Sequence, residues 1–167
     1  SGTPRAGSTL LAKVGTWGPA PVSFSYQWKR DGVAIKNKTA STYVVTTADA
    51  GKKITVTVTG KKSGYTTASK TSGSRTVEKP LTATPTPTVS GTAKVGSTLT
   101  ANAGIWKPAT VSLRYQWKRG GTNIAGATSK SYKLTSADKG KKITVTVTGS
   151  RSGYTTVGKT SAQKTVQ

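Results

Sequence analysis

Along most of the chain apolar and polar residues alternate, and no stretch of ten residues keeps a helical period. A period of two places successive side chains on opposite faces of an extended strand. Leu10, Ala12 and Val14 therefore share one face of a first strand, and Phe24, Tyr26 and Trp28 one face of the next. Ile54, Val56 and Val58 share one face of a third, and Thr, Lys and Gln fill the opposite faces. Tyr43 to Thr46 reads as a further strand and Thr66 to Val77 as a last one. Turn signals at Asp31-Gly32, Asp49-Ala50-Gly51 and Ser63-Gly64 divide them. About seven short strands in a unit of this size predict a β-sandwich.

The pattern occurs twice, at an offset of 89 residues. SGTPRAGSTLLA (Ser1 to Ala12) returns as SGTAKVGSTLTA (Ser90 to Ala101), Trp17 returns as Trp106, and YQWKR recurs at Tyr26 to Arg30 and Tyr115 to Arg119. GKKITVTVTG at Gly51 to Gly60 is unchanged at Gly140 to Gly149, and 46 of 78 positions are identical without a gap. Residues 1–78 and 90–167 are thus two domains. Between them lies KPLTATPTPTV, residues 79–89, whose three prolines and four threonines favour an extended, semi-rigid connector over a packed loop.

A Trp on the third strand is followed by a turn, an S-x-Y-x-x-T strand and a D-x-G turn. With GSTLTA (Gly96 to Ala101), YQWKR (Tyr115 to Arg119) and ADKGKKITVTVTG (Ala137 to Gly149), these motifs resemble the immunoglobulin-like fold. They are most similar to the tandem Ig-like repeats of secreted and surface proteins of Gram-positive bacteria, particularly actinobacteria. The resemblance covers both copies and implies an all-β chain of two tandem immunoglobulin-like β-sandwich domains joined by a Pro/Thr-rich linker. It also implies an accessory or spacer role beside hydrolases or adhesins, in a secreted or cell-wall-associated protein. The chain departs from antibody-type domains in having neither the two cysteines nor a tyrosine corner. Ile54 and Ile143 instead begin the strand after the turn.

Composition narrows the chemistry. Lys and Arg total 26 against 4 Asp and Glu, the net charge is +22, and there is no His, Cys or Met. No thiolate, imidazole base, zinc cage or haem ligand can be assembled, so no enzyme, metal or cofactor is expected. A carboxylate dyad is excluded in the second copy, whose only acid is Asp138. Asp49 and Asp138 read as turn-capping residues. The same scarcity argues against a carboxylate-promoted Lys-Asn isopeptide crosslink. Hydrophobic content is 32%, low for a globular chain, but the strand punctuation and dispersed lysines argue against a disordered basic tail. No apolar run is long enough to span a membrane, no leader opens the chain, and it starts in mid-motif as an excised piece would. The sequon at Asn37 has Gly126 as its counterpart, and is given no functional weight.

Trp28 and Trp117, alternating with Tyr26 and Tyr115, are expected between the sheets. Trp17 and Trp106 stand where the chain leaves a strand, and either pack under the loop or form an exposed stacking platform. With Ig-like strand order, one pole gathers Trp17, Lys61, Lys62 and Tyr65 in the first copy, and Trp106, Lys107, Arg151 and Tyr154 in the second. Aromatic rings beside cations suit an anionic sugar polymer or a nucleic acid. The opposite pole holds Lys29, Arg30, Lys52 and Lys53, with Lys118, Arg119, Lys141 and Lys142 in the second copy. These are either solvated turns that guard the sheet edges or a second basic patch.

The first copy carries 12 cations and 3 acids, the second 13 and 1, with Lys79 between them. Solubility needs a net charge of only about 2 to 8 per small domain. The excess, with Lys outnumbering Arg 20 to 6, favours loose attraction to a phosphate-rich or acidic polymer over base reading. The expected protein is a monomeric, non-catalytic module, fused to other domains, that binds teichoic acid or an acidic glycan with avidity from two repeats. The alternatives are a spacer, nonspecific nucleic-acid binding, which would be salt-labile, and neutral-polysaccharide binding through Trp17 and Trp106.

Overall fold

A computed structural model describes residues 3–167, which form two compact units meeting at Pro80 and Leu81. The first unit has strands β1 (Thr9–Leu11), β2 (Ser23–Arg30), β3 (Val33–Ala34), β4 (Thr42–Val44), β5 (Lys53–Lys61), β6 (Ala68–Thr71) and β7 (Arg75–Thr76). β1 pairs with β4, and the larger sheet runs β3-β2-β5-β6 with β7 also on β5. All pairings are antiparallel. Two-residue turns with positive φ at Asp31 and Gly32 (47° and 85°) join β2 to β3, and Gly120 and Gly121 (55° and 88°) serve at the same place in the second unit.

The inward faces are those the alternation predicts. Trp28, Ile54, Val56 and Val58 of the larger sheet pack against Ala12, Tyr43 and Val45, and Leu10, Val14, Phe24 and Tyr26 border this core. The Trp28 ring stacks on Tyr43 at 5.5 Å, and its Nε1 donates to the Ala40 carbonyl at 2.9 Å. A tryptophan can be buried here because its one polar atom has a partner.

The second unit repeats this plan with β9 (Thr98–Asn102), β10 (Ser112–Arg119), β11 (Thr122–Asn123), β12 (Ser131–Lys133), β13 (Lys142–Ser150), β14 (Val157–Thr160) and β15 (Lys164–Thr165). It adds β8 (Thr88–Ser90), which pairs with β9, so the smaller sheet is β12-β9-β8. The stretch read as an extended, semi-rigid connector thus belongs largely to this unit. Thr82 and Ala83 donate to the Lys107 carbonyl at 2.9 and 3.3 Å, Leu81 packs near Trp106, and Val89 borders the core. An edge position tolerates the prolines, because an edge strand need not donate on its outer side.

The strand expected over Thr66 to Val77 is interrupted between β6 and β7, and likewise in the second unit. The Ser72 hydroxyl accepts from Val56 N–H at 3.1 Å, and Ser161 accepts from Val145 N–H at 3.0 Å. A side-chain oxygen takes the place of a backbone carbonyl at that point of the ladder.

Candidate functional site

The sheet register decides which basic residues share a pole. Ser23 opposes Lys61, so the loop before β2 and the hairpin after β5 lie at one end of the first unit. Arg30 opposes Ile54, which places Lys29, Arg30, Lys52 and Lys53 at the other end. In the second unit Ser112 opposes Ser150 and Arg119 opposes Ile143, with the same outcome. The register thus sets the two ends of each sheet apart, with Lys61 at one end of the first unit and Lys29, Arg30, Lys52 and Lys53 at the other.

At the hairpin pole Lys62 Nζ donates to the carbonyls of Pro19 and Ala20 at 3.0 and 2.6 Å, and lies 5.4 Å from the Tyr65 ring centre. The corresponding Arg151 donates to the Ala109 carbonyl and lies 5.0 Å from the Tyr154 ring centre. Each cation clasps the neighbouring loop, and that contact engages part of its hydrogen-bonding capacity. Tyr65 is 58% exposed. Lys61 and Lys107 are exposed as well.

The two pole tryptophans differ. Trp17 is half-buried, donates through Nε1 to the Val14 carbonyl at 2.6 Å, meets Phe24 edge to face, and has Lys70 Nζ 5.5 Å from its ring. Trp106 is only 7% exposed, with Leu81, Val111, Leu113 and Val157 around it. The stacking-platform alternative is corrected for Trp106: its ring is covered and cannot lie flat on a sugar or base. Both rings rest on a glycine of the longest strand. A methyl group at Gly149 would sit 2.4 Å from the Trp106 ring, and one at Gly60 2.7 Å from Trp17. Gly149→Ala is therefore expected to destabilise the second unit by about 1–3 kcal/mol, the usual penalty of overpacking, measured by denaturant unfolding followed through tryptophan fluorescence.

At the opposite pole Arg30 and Arg119 are not free surface charges. Arg30 Nε donates to Asp49 Oδ1 at 2.6 Å and Arg119 Nε to Asp138 Oδ1 at 2.7 Å, and both carboxylates are fully buried. Asp49 Oδ2 accepts from the Tyr43 hydroxyl at 2.7 Å, and from the Thr46 backbone and hydroxyl at 2.7 and 2.9 Å. Tyr132 and Thr135 hold Asp138 in the same way. Burial pushes both carboxyls up, but the hydrogen bonds from tyrosine, threonine and arginine outweigh it and hold them below the ordinary Asp value. The aspartates do cap turns, as expected, and each also pairs from the interior with a half-buried arginine. The signal in the sequence was the spacing Arg30, Tyr43, Asp49, repeated as Arg119, Tyr132, Asp138.

Lys52 pairs with Asp31 at 3.0 Å, a half-exposed contact. The second unit has Gly120 in place of Asp31, so Lys141 faces no such acid. Lys52, Lys53, Lys141 and Lys142 are exposed, and Lys29 and Lys118 are half-buried. No group of three His, Cys, Asp or Glu that could hold a metal occurs among the described residues, and no helix among them is long and apolar enough to cross a membrane.

Fold and strand order define the chain as a tandem pair of immunoglobulin-like β-sandwich units. No family model and no curated protein matches it. Among solved structures it is similar to the three N-terminal domains of the highly immunogenic outer capsid protein, Hoc, of bacteriophage RB49. That match has 25% identity, 96% of this chain covered and a TM-score of 0.39, and the chain spans only 55% of the capsid-protein chain. It is also similar to the amphioxus IgVJ-C2 molecule, at 15% identity, 99% coverage of each chain and a TM-score of 0.35. Extracellular domains 3–5 of Drosophila OTK match at 15% identity, covering 83% of this chain and 52% of that one, with a TM-score of 0.30.

Proposed function

We propose that the chain is a non-catalytic accessory module of a secreted or surface bacterial protein that retains its parent on an anionic cell-surface polymer, a teichoic acid or an acidic glycan. One observation carries this reading. Of the 4 acidic side chains, Asp49 and Asp138 are fully buried against arginines, leaving only Asp31 and Glu78 to face solvent, and neither belongs to the second unit. That unit presents lysines with no exposed acidic side chain among its described residues. A polyanion approaching it gains from the release of its counterions and meets no competing carboxylate. Lysine, a flexible point charge, suits such loose contact. Two units on one polymer raise retention further, because the second contact becomes intramolecular.

The variant that tests this avoids Lys62 and Arg151, whose loss would also release a loop. Lys61, Lys107, Lys141 and Lys142 are exposed, and their joint replacement by Gln leaves the cores intact. Binding to poly(glycerol phosphate), measured against salt, is expected to weaken, with the slope of log affinity against log salt falling by roughly 0.7–0.9 for each contact removed. An unchanged slope would exclude these lysines. A spacer that projects another domain is the second reading. It is favoured by the internal partners of Lys62, Arg151, Arg30 and Arg119, and it expects no saturable binding to any defined polymer.

A further inference from the structure

The first unit carries a groove of about 670 Å³ that runs along β1, bordered by Leu10, Ala12, Trp17, Val56, Lys70 and Ser72. The residues 89 positions later form the same cradle, with the same residue type at all six places: Leu99, Ala101, Trp106, Val145, Lys159 and Ser161. There the cradle is filled. Leu81 lies in the cluster with Trp106, Val89 borders the cluster of Leu99 and Ala101, and Val89 pairs with Ala101 as β8 adds to β9. The cover shows in the burial of matching residues. Leu99 is fully buried and Leu10 half-buried, while Ser161 is buried and Ser72 exposed.

Among the described residues no strand pairs with the outer edge of β1. Ala12 N–H donates to the Ser41 carbonyl across the pair with β4, so the neighbouring Leu11 and Lys13 N–H groups point the other way. Their counterparts Thr100 and Asn102 face Ser90 and Thr88 of β8. A strand edge with no partner among the described residues, beside an apolar trough, is a template for an added strand.

We propose that this groove is a strand-acceptor site. Its occupant is an extended segment of the Leu81–Val89 type, carried on the chain ahead of Ser1 as Leu81–Val89 is carried ahead of Ser90. The apolar side chains at the two ends of that segment enter the trough beside Trp17 and beside Ala12, and its intervening Thr/Pro stretch closes the edge. The inference comes from the two cradles and is independent of the polymer-binding reading.

The test compares the 167-residue chain with one extended ahead of Ser1 by the sequence of Leu81–Val89, and with a control extension in which its Leu and Val are Asp. Amide exchange is followed at Leu11 and Lys13, and Asn102, already opposite Thr88, is the internal reference. The apolar extension is expected to slow exchange at Lys13 by about tenfold or more. It should also shift Trp17 emission to the blue and leave Asn102 unchanged. Equal protection by the Asp control, or none by either, would overturn the proposal. Protection of Leu11 and Lys13 in a concentration-dependent dimer of the unextended chain would also overturn it, since a second copy would then be the occupant.

Discussion

Replacing Asp138 by alanine is expected to lower the stability of the second unit by about 3–5 kcal/mol, because a fully buried carboxylate that accepts several hydrogen bonds is lost and its donors are left without an acceptor. The carboxylate is fully buried and receives hydrogen bonds from Arg119, Tyr132 and Thr135. Removing it leaves the Tyr132 hydroxyl and the Thr135 N–H without their acceptor and the half-buried Arg119 without its counter-charge. For a unit of this size the midpoint should fall by more than about 12 °C. The same carboxylate sets the acid limit. Its pKa lies below the ordinary Asp value in the folded unit, so its contribution is complete above the unfolded value of about 3.9 and is lost as pH falls through the folded one. No other acidic side chain belongs to this unit. Asp138→Asn should therefore remove most of the unit's stability change between neutral pH and pH 2, read by thermal melts across that range. Acid sensitivity equal to that of the parent chain would contradict this assignment.

Trp106→Ala should cost about 3–5 kcal/mol, as for other buried aromatic residues, whereas Trp17→Ala should cost distinctly less. The two residues occupy equivalent positions, yet Trp106 has Leu81 against it and Trp17 borders an open groove. Denaturant unfolding of the two variants gives the comparison. If Trp106 were a stacking platform, its removal would weaken glycan binding with little loss of stability. Equal penalties at the two positions would show that the segment before β9 contributes nothing to the burial of Trp106.

What the sequence made legible is what local periodicity encodes. Alternation placed Trp28, Val56 and Val58 on inward faces, and the 89-residue repeat marked two copies of one pattern. What it hid depends on partners distant in the chain. Arg119 reads as a surface cation until folding brings Asp138 within 2.7 Å. Trp17 and Trp106 stand at equivalent positions, and only the course of residues 81–89 separates them. That stretch, read from its prolines as a connector, carries Leu81 and Val89 at its ends, and these two apolar side chains anchor it to the sandwich. The break between β6 and β7 was hidden because a serine hydroxyl stands in for a backbone group there, a substitution that leaves the strand pattern unchanged.

Retention on a polyanion rests on the positive surface charge, which no exposed acidic side chain opposes among the described residues of the second unit. Its most direct test is co-sedimentation of the 167-residue chain with purified Gram-positive cell walls, before and after chemical removal of teichoic acid, across a salt titration. The account predicts saturable binding that is lost with the polymer and weakens steeply with salt. Equal binding to intact and stripped walls, or no binding at physiological salt, would contradict it.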